Sequence, residues 1–159
     1  MAKQLPILLR PANAEDVGFI FNAWLKSFRN SEHAKDLSNE IYFSEHHKVI
    51  EELLKRYDVI IACNNEDPSQ IYGFICAGST DGVFTLHYVY VKHTFRRMGI
   101  GQALLNSFQH DSNYAAIYTH HGRPAKHLAK KYNLIYHPYV ALSPQLYQKQ
   151  HERSDEKAR

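Results

Sequence analysis

Apolar positions recur with a helical period near the start of the chain. Val17, Ile20, Phe21, Trp24, Leu25 and Phe28 fall at i, i+3, i+4, i+7, i+8 and i+11, one face of a helix. Ahead of them "LPILLRPA" predicts a short strand, and Asn13 with Asp16 three residues on predicts the helix N-cap. Residues 29–43 show no clean period and predict a long loop holding at most a helical turn. Ser44 is the cap predicted for a second helix, whose Ile50, Leu53, Leu54 and Tyr57 share a face.

The pattern then shortens to that of strands. "DVIIAC" and "IYGFICAG" flank the turn-rich "NNEDPSQ", a hairpin pattern. After a second turn, "STDG", comes "VFTLHYVYVK", apolar or aromatic on both faces and so predicted to be a central strand. Ile100, Ala103, Leu104 and Phe108 predict a third helix, and "YAAIYT" a fifth strand. Pro124 suits the first turn of a fourth helix bearing Ala125, Leu128, Ala129 and Tyr132. "NLIYHPYVAL" predicts a last strand or pair of strands. The order β-α-α-β-β-β-α-β-α-β predicts an α/β mixed sheet with helices on both faces. Residues 1–145 form one predicted domain, followed by a polar tail at 146–159.

Composition narrows the function. With 159 residues, 44% hydrophobic and 22% charged, the chain is long enough for one real core. A net charge of +3 admits an anionic ligand but lacks the concentrated basicity of a nucleic-acid binder. Two cysteines, Cys63 and Cys76, lack disulfide-framework or metal-ligand spacing and fit a reducing cytoplasm. Neither a signal peptide nor a membrane span is predicted. Eleven histidines include the adjacent pairs His46-His47 and His120-His121, but no His-x-x-x-His or Cys-x-x-Cys spacing accompanies them, so no metal is predicted.

Candidate chemistry sits where the central strand gives way to the third helix. Arg96, Arg97 and Met98 precede Gly99-Ile100-Gly101. The first N–H groups of a helix have no intrahelical partner and carry the positive end of its dipole. Glycine lets a phosphate approach the backbone, and the arginines add formal charge, so the junction predicts an anion cradle for a phosphate or pyrophosphate. A tight turn is the alternative. The sequence lacks the Gly-Lys-Ser/Thr of a Walker loop and the third glycine of a dinucleotide fingerprint.

These residues resemble the Q/R-x-x-G-x-G/A signature of the GNAT superfamily of acetyl-CoA-dependent N-acetyltransferases. Arg96, Gly99 and Gly101 fill its fixed positions, Val91 matches five residues earlier, and the predicted elements agree with that fold over roughly residues 5–142. The resemblance implies a fourth strand splayed from the fifth, with backbone groups of Val89, Tyr90 and Val91 pairing with the pantetheine arm. It implies that amides from Arg97 through Met98, Gly99, Ile100, Gly101 and Gln102 hold the pyrophosphate, with Arg97, Arg123 or Lys126 meeting the 3′-phosphate. It further implies acetyl-CoA as cosubstrate, a primary amine as acceptor (small molecule, peptide N-terminus or lysine), and direct attack without a covalent enzyme intermediate.

His87 is the candidate base, since its unperturbed pKa suits proton transfer near neutrality. Arylalkylamine N-acetyltransferases are similar at this position, although their second strand histidine corresponds to Thr85 here. A buried structural histidine is the competing reading. The family's asparagine and tyrosine around the fourth helix correspond to Gly122 and Ala129, so Tyr132, one turn on, is the candidate acid, with Tyr88 and Tyr118 as alternatives. That departure also admits a GNAT-fold module that binds acyl-CoA, a protein or an RNA without catalysis. A homodimer is compatible with the family. "LHYVYVK…FRRMGIG" is also similar to small acetyltransferase-like proteins of tailed bacteriophages, which would place the protein in a host bacterium's cytoplasm.

Overall fold

A computed structural model describes residues 5–108 and 116–144. Among these residues six strands form one sheet in sequence order: β1 (Leu8–Pro11), β2 (Asp58–Cys63), β3 (Ile71–Thr80), β4 (Val83–Val91), β5 (Ala116–Tyr118) and β6 (Leu134–Tyr136). β1 to β4 are antiparallel neighbours, and β5 and β6 add in parallel. Helices α1 (Val17–Phe28) and α2 (Asn39–Arg56) pack on one face, α3 (Ile100–Asn106) and α4 (Arg123–Tyr132) on the other. A single helical turn, α5 (Tyr139–Leu142), follows β6. The predicted mixed α/β order is therefore observed.

The entry to α1 is the predicted capping box, set on a short 3₁₀ turn at Ala14–Asp16. Asn13 Oδ1 accepts from the Glu15 amide at 2.9 Å, and the Asn13 amide donates to Asp16 Oδ2 at 2.8 Å. The same carboxylate takes Arg10 at 2.7 Å, tying β1 to α1. The Arg10 guanidinium holds the Asp16 carboxyl below its ordinary pKa.

Several boundaries differ from the sequence reading. α2 begins at Asn39, and its cap is Ser38, whose hydroxyl accepts from the Ile41 amide at 3.2 Å, rather than Ser44. Its buried face starts with Tyr42 and His46 ahead of Ile50 and Leu53, so a polar residue on the stripe hid the first two turns. The stretch 139–142 is helical rather than extended. The His137 amide bonds the Tyr118 carbonyl at 2.9 Å as the last tie to β5, and Pro138, at φ −68°, then opens the α5 turn. Phe108 falls beyond the last residue of α3. Tyr114, Ala115 and the predicted tail at 146–159 lie outside the described residues.

One core layer joins Trp24, Phe28, Tyr42, Ile50 and Leu53 to Phe74 and Tyr88; the other joins Ile75, Leu86 and Val89 to Ile100, Leu104 and Leu128. The β3–β4 hairpin turns through Asp81 and Gly82, at φ 52° and 82°, a pair of left-handed residues that suits the twist of the strands. Further along, Cys76 pairs with Tyr88 and Ala77 with Leu86, which leaves His87 without a partner. It is a β-bulge. The extra residue turns Tyr88 into the α1–α2 layer, while Leu86 and Val89 face α3 and α4.

β4 pairs with β5 only at Thr85–Ile117 and Leu86–Tyr118, and a last bond runs from the Thr119 amide to the Leu86 carbonyl at 3.0 Å. Beyond it β4 continues to Val91 with no β5 alongside. β3 supports that stretch from behind. A Cβ on Gly73 would lie 2.2 Å from the Tyr90 carbonyl oxygen, so the strands approach more closely there than any side chain allows. Gly73→Ala is expected to part β3 from β4 and to destabilise the fold by about 1–3 kcal/mol, the usual range for overpacking. Urea unfolding measures it; an unchanged midpoint would show that the strands separate there without cost.

Candidate active site

β4 ends at Val91, and a 3₁₀ turn at His93–Phe95 leads into Arg96. Arg97 at φ 66° and Gly99 at φ 78° are both left-handed, and Gly99 caps α3. For arginine that conformation costs about 1–3 kcal/mol, so the surroundings must hold it. Among the described residues, and apart from its own chain neighbours, no heavy atom lies within 4 Å of a Cβ built on Gly99, whereas one on Gly101 would meet Val91 Cγ2 at 4.0 Å. The free amides at the start of α3 thus open onto empty space flanked by two exposed arginines. The fit to an anionic group is good.

The anion-site residues predicted from sequence therefore come together at the end of β4. Val89, Tyr90 and Val91 lie on the unpaired stretch, next to the turn. Arg96 Nε donates to the Val91 carbonyl at 3.2 Å, so that group is already engaged. Gln102 is tied to α4, its Oε1 accepting from Lys131 Nζ at 3.0 Å.

The candidate catalytic pair does not meet. His87 is fully buried and packs on Tyr57, with ring centroids 4.1 Å apart. Tyr132 packs with the α3–α4 core layer, on the other face of the sheet. Of the alternatives, Tyr88 shares a 2.5 Å hydrogen bond with Ser27 Oγ, and burial pushes its hydroxyl up to about 12. Tyr118 pairs with His121 Nδ1 at 2.7 Å. Gly122 lies against Tyr88, whose ring would be 3.7 Å from a Cβ at that position.

Around His87 the structure assembles a set of polar groups that sequence reasoning did not connect. His87 Nδ1 is 2.8 Å from Thr119 Oγ1, which is 3.0 Å from His120 Nδ1. His120 Nε2 is 3.0 Å from His46 Nε2. His87, Thr119, His120 and His46 are all buried, and Trp24 and Phe28 pack on the His120 ring. The contact joins residues 74 positions apart, so no local spacing announces it. The available signal was His46 itself, a polar residue at a core position of the α2 stripe. Among the described residues no group of three or more His, Cys, Asp or Glu is placed to hold a metal ion.

Burial keeps these imidazoles neutral. His87 falls to about 3 and His46 to about 4, while His120 lies well below 6.5 through burial and then its histidine neighbours. Unfolded, each would bind a proton below about pH 6.5. Their contribution to stability is thus intact above that pH and is lost as the solution becomes more acidic. Each group steepens the loss by about 1.4 kcal/mol per pH unit. The denaturant midpoint is expected to drop sharply between about pH 6 and pH 4.5, and His46→Gln to make that drop shallower. Equal slopes in the two proteins would mean that His46 is protonated in the folded state.

The fold has relatives. The profile of the Acetyltransferase (GNAT) domain matches residues 55–150. Among solved structures, a candidate acetyltransferase from Pyrococcus furiosus aligns at TM-score 0.52 and 18% identity, over 91% of this chain and 91% of that one. Another, from Clostridium difficile 630, aligns at TM-score 0.52 and 16% identity, over 82% of this chain and 91% of that one. The chain spans 63% of the length of apo YjaB from Escherichia coli, and that match covers 64% of this chain at TM-score 0.46 and 21% identity. Curated proteins give no sequence match. The domain match takes in β4 and the Arg96–Gly101 turn, and by it the chain belongs to the GNAT family of acetyltransferases.

Proposed function

We propose that the protein is an N-acetyltransferase that passes the acetyl group of acetyl-CoA directly to a primary amine. The observation that carries this reading is the bulge at His87, which ends β4–β5 pairing at Leu86 and leaves the open edge of β4 leading to the left-handed turn at Arg97 and Gly99. A thioester arm can lie along that edge as an added strand, with backbone groups of Val89 and Tyr90 as partners. The amides from Arg97 to Gln102 would take the pyrophosphate. Arg97, Arg123 or Lys126 would meet the 3′-phosphate.

The acceptor nitrogen attacks the thioester carbonyl; the C–N bond forms, the C–S bond breaks, and the acetyl amide and the free thiol result. An ammonium cannot attack, so one proton must leave before the bond forms. The thiolate must gain one as it departs. Tyr132, on α4 with Arg123 and Lys126, is the group we assign to that second transfer. The acceptor is a small amine, a peptide N-terminus or a lysine.

The test is acetyl-CoA binding by calorimetry, with thiol release in the same samples across a panel of amines. Binding with release is expected. Gly99→Val should weaken acetyl-CoA binding at least about tenfold, because a β-branched residue resists the left-handed conformation and fills the open space over the amides. Unchanged affinity in that variant would remove the cradle. Binding without release from any amine would instead favour a module that only holds acyl-CoA.

A further inference from the structure

We propose that the His46–His120 pair accepts the proton of the incoming amine, with Thr119 and His87 behind it as positioning residues that fix its tautomer. This rests on the acetyltransferase reading above. A narrow pocket opens beside β5, between the α1–α2 connection and the segment after β6; Phe28, His33, Tyr136 and Pro138 form its walls, and His46 and His120 line it. Its volume, about 10 Å³, leaves room for one water. Among the described residues no Asp or Glu lines it, so an ammonium at its mouth can pass a proton through that water to the histidines. The pair lies at the point where β5 leaves β4, and the His120 ring contacts that of Tyr88, with centroids 5.7 Å apart. It therefore stands beside the edge where the thioester would lie.

The hydrogen bonds form one line: His46 to His120, His120 to Thr119, Thr119 to His87. Every member can both donate and accept, so the neutral chain has two polarities. The inner end chooses between them. Among the described residues His87 Nε2 is buried with no hydrogen-bond partner, and the ring lies at 66° to Tyr57. Beside an electron-rich aromatic ring an N–H is better placed than a lone pair. With the proton on His87 Nε2, Thr119 donates to His87 Nδ1, His120 Nδ1 donates to Thr119, and His46 Nε2 donates to His120. His46 Nδ1 is then left bare, as a base.

The proton balance is complete. Of the three hydrogens on the ammonium nitrogen, one passes to His46 before attack, one goes to the departing sulfur, and one stays on the amide. The resulting imidazolium can hand its Nε2 proton to His120, spreading the charge along the line, and returns the proton to solvent through the pocket. The groups facing His46 are Tyr42 on its own helix, Phe28 from α1, His33 from the α1–α2 connection, and His120 from the end of β5. Burial, and then His33, oppose protonation of His46, so a proton there is held briefly rather than stored.

The test uses the full chain with acetyl-CoA and phenethylamine, spermidine or a lysine-containing peptide, whichever gives release, from pH 5.5 to 9.5. His46→Gln and His120→Gln are expected to lower kcat about 100-fold near neutrality without changing acetyl-CoA affinity, and the deficit should shrink as the amine deprotonates by itself. Thr119→Val should lower kcat and Thr119→Ser restore it. A histidine-resolved NMR titration of the unsubstituted protein should keep His46 and His120 neutral below pH 5, and it decides the matter if a variant fails to fold. Wild-type kcat and pH profile in His46→Gln, or His46 titrating alone near 6.5, overturns the proposal while leaving the enzyme reading intact. No release by the unsubstituted protein removes both.

Discussion

One extra residue in one strand sets the geometry on which the rest depends. His87 has no partner on β3, and the β4–β5 ladder stops beside it. Without the bulge, strict alternation would put Tyr88 on the α3–α4 face and carry a histidine and a tyrosine to opposite layers. With it, both lie on the α1–α2 side, and β4 twists free of β5. An edge with unpaired backbone groups is normally a liability in a sheet. Here it is one strand wide, backed by the close β3 contact at Gly73, and it ends at the left-handed turn at Arg97 and Gly99.

The bulge also explains why this core tolerates so many polar groups. Buried polar atoms are costly unless bonded. The line from His87 to His46 satisfies most of its nitrogens internally. Tyr57 adds a second such chain beneath, its hydroxyl 2.6 Å from Thr80 Oγ1, to which Thr85 Oγ1 donates at 2.9 Å. Replacing such a line by apolar side chains would be expected to stabilise the fold near pH 5, where neutral histidines oppose it. A network that lowers acid stability is more readily understood as serving the site than as holding the fold.

The fold was legible because its local rules agree with one another. The α1 stripe, the capping box at Asn13, the Asp81-Gly82 turn and Pro124 each report on neighbours a few residues away. The turn from Arg96 to Gly101 was legible for the same reason, since its residues are contiguous. The start of α2 was not, because His46 sits on the buried stripe and breaks its apolar period. Nor was the turn at 139–142, where apolar residues after a proline read equally as strand. The histidine line was hidden most completely: it joins α2, the bulge and the end of β5, and only the tertiary fold brings them within hydrogen-bond reach.

Gly122 and Ala129 carry no side chain able to give or take a proton. Tyr88 stacks on Trp24 with centroids 4.7 Å apart, its hydroxyl is fixed by Ser27, and its ring would lie 3.7 Å from a Cβ at position 122. A Cβ at position 122 would make only an ordinary contact with Tyr88, so glycine there follows from the sequence rather than from crowding. Proton transfer must then come from elsewhere around the slot. The side left available is the one where α2 and the end of β5 already bring two neutral imidazoles together.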